Sequence, residues 1–373
     1  MITFNKPVLS GNEVNYILKA VESGQLAGDG RFTEACQIII NEITDCPRSL
    51  LTHSCTAALE MSALLAGISP GDEVIMPSYT FVSTANAFCL RGAIPVFVDI
   101  REDTLNMDEK LVEEAITKKT KAIVAVHYGG IGCEPIFLRA LCRKYEILFI
   151  EDAAQAIGAK FNGQPLGSFG DLAALSFHET KNVISGEGGC LLVNNRDFEI
   201  RAEIIREKGT DRKNFQRGEV AKYTWQEIGS SYLPGELIAA FLLAQLENLA
   251  KINASKLKIW NDYFEGLKQL EQLGILRRPI VPSNCSHNGH LFYIILENQK
   301  TRERLIQHLS KENIHSVFHY IPLHSSPAGK KYTKHFGTFR ITDSISNRLL
   351  RLPSWVGFNQ TSKVIECITN FFK

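Results

Sequence analysis

The strongest constraint in this chain is a series of short apolar runs, each ending at polar or glycine residues and alternating with helical patterns. Glu73-Val74-Ile75-Met76 ends at Pro77, Val96-Phe97-Val98 ends at Asp99, and Ala122 to His127 ends at Tyr128-Gly129-Gly130. Ile147-Leu148-Phe149-Ile150 ends at Glu151-Asp152, and Ser49-Leu50-Leu51-Thr52 precedes an Ala/Leu-rich helix over 56–66. Runs that are β-branched and apolar throughout suit strands covered on both faces, which predicts an α/β fold with a parallel sheet. Such open sheets bind ligands beyond the carboxyl ends of their strands, so residues just past each run are the first candidates for function.

From about Gly170 the rhythm changes. Leu172 to Phe177 reads as a strand, then come His178-Glu179-Thr180-Lys181-Asn182, the reversal Ser185-Gly186-Glu187-Gly188-Gly189, and a second strand, Cys190-Leu191-Leu192-Val193. A hairpin-like unit of this kind can hold one side chain at its tip. A long helical region is predicted from Pro234 to Leu270, and the remainder, with Phe292 to Ile295 and Ile314 to Val317, reads as a smaller α+β unit. At 373 residues a two-domain division is expected, a large domain over 1–250 and a small one over 251–373.

Several function classes lack support. The net charge of +1 gives no global field for nucleic acid or an anionic membrane, and 45% apolar with 22% charged residues is ordinary globular composition. No stretch approaches the roughly 18 apolar residues of a membrane span. The start, Met1-Ile2-Thr3-Phe4-Asn5-Lys6, lacks an apolar signal region, and the odd count of nine cysteines contains no C-x-x-C; a reducing cytoplasm is expected. No metal site is signalled: His178-Glu179 is followed by Asn182 where a zinc helix needs a second histidine. P-loop, dinucleotide and serine-hydrolase motifs are also missing.

What remains is a set of residues at strand ends. Asp152 alone would be read as a helix N-cap, but it also places a carboxylate where a ligand cation can meet it. Pyridoxal phosphate (PLP) needs such a partner, because a carboxylate beside the pyridine nitrogen keeps it protonated and able to accept electrons. Lys181 alone would be read as solvated. Between a buried-looking strand and a glycine-rich reversal, it can instead be a desolvated amine of lowered pKa, a competent nucleophile. Ser54-Cys55-Thr56-Ala57 stands at a strand-to-helix junction, where free N–H groups and the helix dipole favour a phosphate. Phe81, in Pro77-Ser78-Tyr79-Thr80-Phe81-Val82, can be a core residue or the ring that stacks on a planar cofactor.

The segments 77–87 (Pro-Ser-Tyr-Thr-Phe-Val-Ser-Thr-Ala-Asn-Ala), Glu151 to Ala156, and Ser176 to Asn182 resemble the DegT/DnrJ/StrS family of PLP-dependent nucleotide-sugar aminotransferases, and the similarity runs down to His319-Tyr320-Ile321-Pro322-Leu323-His324. The resemblance implies PLP fold-type I, like aspartate aminotransferase: a large domain with a mostly parallel seven-stranded sheet, and a smaller C-terminal α+β domain. It also implies that Lys181 is the lysine that carries the cofactor, Asp152 the pyridine-nitrogen partner, and Gln155 a neighbour of the ring's 3-hydroxyl. Cys55 and Thr56 match the phosphate cup, Ser176 a second phosphate contact, and Phe81 the stacking ring. Where many relatives carry a G-x-N-x-R run whose Asn reaches the phosphate from the neighbouring subunit, this chain reads Gly229-Ser230-Ser231-Tyr232-Leu233, so Ser231 takes the Asn position.

The stretches Leu51 to Ala57, Leu26 to Gly30 and Arg206 to Thr210 are most similar to family members that make dTDP-4-amino-4,6-dideoxygalactose. The implied reaction is transamination of dTDP-4-dehydro-6-deoxyglucose by L-glutamate, through pyridoxamine phosphate, for a cell-surface polysaccharide such as enterobacterial common antigen. Gly28, Asp29, Arg212, Lys213, His319 and His324 are the expected substrate contacts, and a homodimer with shared sites is the expected assembly. The 4-amino gluco epimer, a 3-amino product and a non-enzymatic PLP-binding regulator stay open as alternatives.

Overall fold

The apolar runs become strands of one large sheet. The computed structural model describes residues 1–373 and gives, in chain order, β1 (Arg48–Thr52), β2 (Glu73–Pro77), β3 (Ile94–Val98), β4 (Thr120–Val126), β5 (Leu148–Asp152), β6 (Leu172–Ser176) and β7 (Gly189–Val193). The C-terminal part adds β8 (Leu276–Arg277), β9 (Phe292–Leu296), β10 (Lys334–His335) and β11 (Leu349–Leu352). The large sheet has the order β1-β7-β6-β5-β4-β2-β3-β10. Its pairings are parallel from β6 to β10, while β7 is antiparallel to both β6 and β1. This is the expected mostly parallel sheet of seven strands, with one two-residue edge strand added. Two antiparallel steps in succession leave β1 running with β2 to β6, so their carboxyl ends share one edge.

Alternation along the strands explains why they read as unbroken apolar runs. Ile75, Ile123, Ala125, Phe149 and Leu175 face one core, which the helices Arg31–Thr44, Pro135–Tyr145 and Glu236–Glu247 close. Val74, Met76, Ala122, Val124 and Ile150 face the other, under the helices Cys55–Leu65, Val82–Cys89 and Glu199–Arg206.

The long helical region predicted over 234–270 is broken. Helices Glu236–Glu247 and Leu249–Gly266 meet at Asn248 with a bend of 63°. The Asn248 side chain donates to the Ala244 carbonyl at 2.9 Å, competing with the backbone ladder at that point. No single helix is long and apolar enough to cross a membrane.

β8, β9 and β11 form a small antiparallel sheet whose Phe292, Ile294 and Leu350 pack with Trp260, Tyr263, Leu305 and Val364 of the flanking helices. The chain crosses the expected division at residue 250 in both directions. Ile2 belongs to the small core and bridges Ile314, whereas β10 extends the large sheet. Tyr79, Tyr128, Tyr293 and Leu349 form a further buried cluster between the two sheets.

Candidate active site

The shared carboxyl edge gathers the chemistry. Asp152 ends β5 and is buried; its Oδ2 accepts from Thr84 Oγ1 at 2.7 Å and its Oδ1 from the Ala154 N–H at 3.2 Å. Thr84 is held in turn by Thr80, the two hydroxyl oxygens standing 2.8 Å apart. Both threonines lie in the β2 loop and the helix after it, so one carboxylate is oriented from the ends of two strands, β5 and β2, that flank β4.

Lys181 sits at the tip between β6 and β7, half-buried, with its backbone N–H bonded to the His178 carbonyl at 2.9 Å. Burial lowers its pKa, and the nearby Cys55 and Asp152 oppose that shift only in part. Asn182 beside it is buried and donates to Asn253 Oδ1 and to the Asn288 carbonyl, both at 2.9 Å. The lysine tip is therefore anchored by residues far along the chain.

Facing it is the N-terminus of the helix Cys55–Leu65. Ser54 caps this helix, its Oγ accepting from the Ala57 N–H at 3.1 Å. The Ala58 N–H goes to the Ser54 carbonyl, so the Cys55 and Thr56 N–H groups are the first-turn donors left over. Thr56 Oγ1 lies 2.8 Å from Ser83 Oγ. Gly189, at the start of β7, passes so close that a methyl group there would collide with the Ser54 carbonyl carbon and the Cys55 nitrogen. Ser176 is buried at the end of β6, and Phe81 projects from the loop after β2 with 57% of its surface exposed. Gln155 is buried and fixed from two sides: the Gly129 N–H donates to its Oε1 at 2.7 Å, and its Nε2 donates to the Tyr320 hydroxyl at 2.8 Å.

In sequence and fold the chain is similar to known aminotransferases. The profile of the DegT/DnrJ/EryC1/StrS aminotransferase family matches residues 7–369. The chain belongs to this family. It is 34% identical to GDP-perosamine synthase of Vibrio cholerae, covering 100% of this chain and 99% of that one. It is 31% identical to the spore coat polysaccharide biosynthesis protein SpsC of Bacillus subtilis, over 100% and 97% of the two chains. Among solved structures, the aminotransferase TlmJ of Streptoalloteichus hindustanus superposes with a TM-score of 0.91 at 26% identity, covering 100% and 99%. A Streptococcus pneumoniae protein described as a sugar aminotransferase, with structures in PLP and PMP forms, gives a TM-score of 0.91 at 25% identity over 100% and 99%. As a member of the DegT/DnrJ/EryC1/StrS family, the chain is a PLP-dependent sugar aminotransferase of fold-type I. The assembled groups suit that cofactor: a helix end with free donors for a phosphate, a carboxylate for a ring nitrogen, and a desolvated amine for an aldehyde.

The other expected residues of this family member lie apart from that group. Asp29 pairs with Arg206 and, at 2.9 Å, with Lys213. Burial alone would raise the Asp29 carboxyl, but the two cations hold it below its ordinary value. Arg212 pairs with Glu207 at 3.2 Å, Ser231 bridges Glu207, and Gly28 lies against Pro234 and Leu233. Within one chain, none of these five residues shares a hydrogen bond with the Lys181 group, and the charges of Arg212 and Lys213 are already matched.

The two histidines divide. His319 is half-buried, bonds the Tyr128 hydroxyl through Nδ1 at 2.6 Å and stacks on Tyr320 at 3.7 Å. His324 is committed elsewhere: its Nδ1 meets Ser78 Oγ at 2.7 Å, its Nε2 meets Asp343 at 3.3 Å, and its ring stacks on Phe339. It fastens the segment before β10 to the β2 loop. Sequence reasoning passed over Thr84, Asn182 and Tyr320, whose partners are 68 to 165 positions away. All three stood inside the quoted segments 77–87, 176–182 and 319–324, the only signal available.

Proposed function

We propose that the chain transfers an amino group from L-glutamate to C4 of a dTDP-linked keto sugar, dTDP-4-dehydro-6-deoxyglucose, giving dTDP-4-amino-4,6-dideoxygalactose for a cell-surface polysaccharide. The observation that carries the assignment of roles is the desolvated Lys181 amine facing the buried, doubly bonded Asp152 across one sheet edge. PLP, when bound, supplies an electron-accepting ring and an aldehyde that exchanges amino groups. In this reading Lys181 holds the cofactor at rest. Once displaced by the donor, its Nζ would take a proton from the amine-bearing carbon of the aminated cofactor and deliver it to sugar C4, which fixes the new stereocentre. Asp152 keeps the ring nitrogen protonated, and the Cys55 and Thr56 N–H groups with Ser176 bind the phosphate. Gln155 contacts the ring oxygen, and Phe81 covers one face and excludes water from it.

The same reading takes the assembly as a homodimer with shared sites. In it Ser231, Arg212 and Lys213 would approach the partner's site, and Gly28 and Asp29 the nucleotide sugar. The 34% identity to a GDP-perosamine synthase favours a second reading, in which the sugar is GDP-linked.

Purified enzyme incubated with L-glutamate and either the dTDP-linked or the GDP-linked keto sugar decides between the two, with NMR of the product reading the configuration at C4. An axial amine on the dTDP sugar is expected; an equatorial one, or turnover only with GDP, replaces the substrate assignment. Lys181→Ala is expected to lose both turnover and the visible absorbance of the bound cofactor. Retention of both would sink the role given to Lys181.

A further inference from the structure

We propose that Tyr320, contributed by the C-terminal part of the chain, is a positioning residue that locks the Gln155 carboxamide so that its remaining N–H faces the ring oxygen of PLP. The inference rests on the placement of Gln155 beside that oxygen. A backbone N–H can only donate, so the bond from Gly129 at 2.7 Å requires Oε1 on that side of the amide. Nε2 must then face Tyr320, whose hydroxyl accepts one of its two protons at 2.8 Å. One N–H is left over, and its direction is set by the two bonds already made. The Gln155 main chain is pinned as well, its carbonyl accepting from Asn288 Nδ2 at 2.9 Å.

Tyr320 is itself held rigidly. Its ring stacks on His319 with centroids 3.7 Å apart, and it meets the edge of Tyr79 at 5.5 Å. His319 is oriented by its bond to the Tyr128 hydroxyl. Without the Tyr320 hydroxyl the amide keeps only the Gly129 bond, about which it can turn. The donor to the ring oxygen would then be lost for part of the time, and more negative charge on that oxygen favours the protonated form of the lysine–cofactor linkage.

The test is a pH titration of the visible absorbance of the holoenzyme, with thermal melts alongside. Gln155→Leu and Tyr320→Phe are each expected to raise the titration midpoint by about 0.5–1 unit, the size of one lost hydrogen bond. The double variant should go no further than Gln155→Leu alone, because both remove the same contact. Tyr293→Phe, which alters the tyrosine cluster at a ring with no hydrogen bond to Gln155, His319 or Tyr320, should leave the midpoint in place. A Tyr320→Phe midpoint equal to wild type beside a shifted Gln155→Leu overturns the role of Tyr320, as does full additivity or an equal shift in Tyr293→Phe. No shift in Gln155→Leu would overturn the placement of Gln155, and this inference with it. Tyr320→Phe keeps the stacking ring; if it still fails to fold, Tyr320→Trp removes the same acceptor and is read in the same way.

Discussion

Asp152 has its direction imposed by two donors of different kinds, a side-chain hydroxyl from Thr84 and the main-chain N–H of Ala154. A carboxylate with only the second bond could rotate about its terminal torsion, which is broad. Thr84→Val keeps the shape and removes the hydroxyl, so it also leaves Thr80 without its partner. A hydrogen bond to a charged group contributes about 1.5–3 kcal/mol, and only part of that bears on the reaction. We expect kcat to fall by about tenfold, with KM for the amino donor little changed, in steady-state assays. A rate within twofold of wild type would remove Thr84 from the machinery. At this scale the sequence was informative about types and poor about partners. Asp152 and Lys181 were legible because each follows an apolar run that predicts a strand end. Thr84 and Tyr320 were not, because their significance lies in atoms 68 and 165 positions away.

Strands and helices were legible wherever their period was long enough to be seen. The five-residue runs of β2, β3, β5, β6 and β7 appear where expected, and the hairpin tip that presents Lys181 was readable from its glycines. The break at Asn248 was hidden because apolar residues continue on both sides of it. Also hidden was the loop between Gly167 and Gly170, which has no period and is held by Asn194, donating to the Gly167 and Gly170 carbonyls at 2.8 and 2.9 Å, and above all by Glu151. This carboxylate is fully buried and accepts from the Gly167, Phe169 and Gly170 N–H groups at 2.7 to 2.9 Å. It also meets His127 Nε2 at 2.7 Å. The Cys133 N–H donates to His127 Nδ1, which places the imidazole proton on Nε2, pointing at Glu151. Glu151→Ala strands four donors in the interior, each worth about 1–3 kcal/mol when left unmatched. The holoenzyme should lose at least about 3 kcal/mol in urea unfolding, part of the deficit being met by water entering the space. A loss below about 1 kcal/mol would show that the loop is held by other contacts.

The whole molecule is joined by contacts that no local pattern announces: Ile2 in the small core, the two residues of β10 on the large sheet, and Cys285–Ser286 paired with Lys160–Phe161. Lys256 belongs with these. It lies in the helix Leu249–Gly266 and reaches across to the Ser354 carbonyl and hydroxyl, both at 2.8 Å, with no carboxylate in contact. Burial pushes its pKa down from 10.5 to about 7. Desolvation is the whole cause of that shift, with no neighbouring charge to relieve it. In the unfolded chain the same lysine titrates near its ordinary value of about 10.4. Between those two values the unfolded state binds the proton that the folded state has released, so stability rises with pH across the window from about 7 to 10. Below the folded value both states are protonated and the cost of the buried ammonium is felt in full. Above the unfolded value both are neutral and the cost is gone. Lys256→Met fills a similar volume without a titrating group. We therefore expect the urea midpoint of the wild-type holoenzyme to rise between pH 7 and pH 9 by more than that of Lys256→Met, the difference isolating this group from cysteines and other residues that titrate nearby. Equal pH dependence in the two proteins would mean that the Ser354 bonds offset the desolvation, and that the joint between this helix and the 353–356 segment carries no net electrostatic cost.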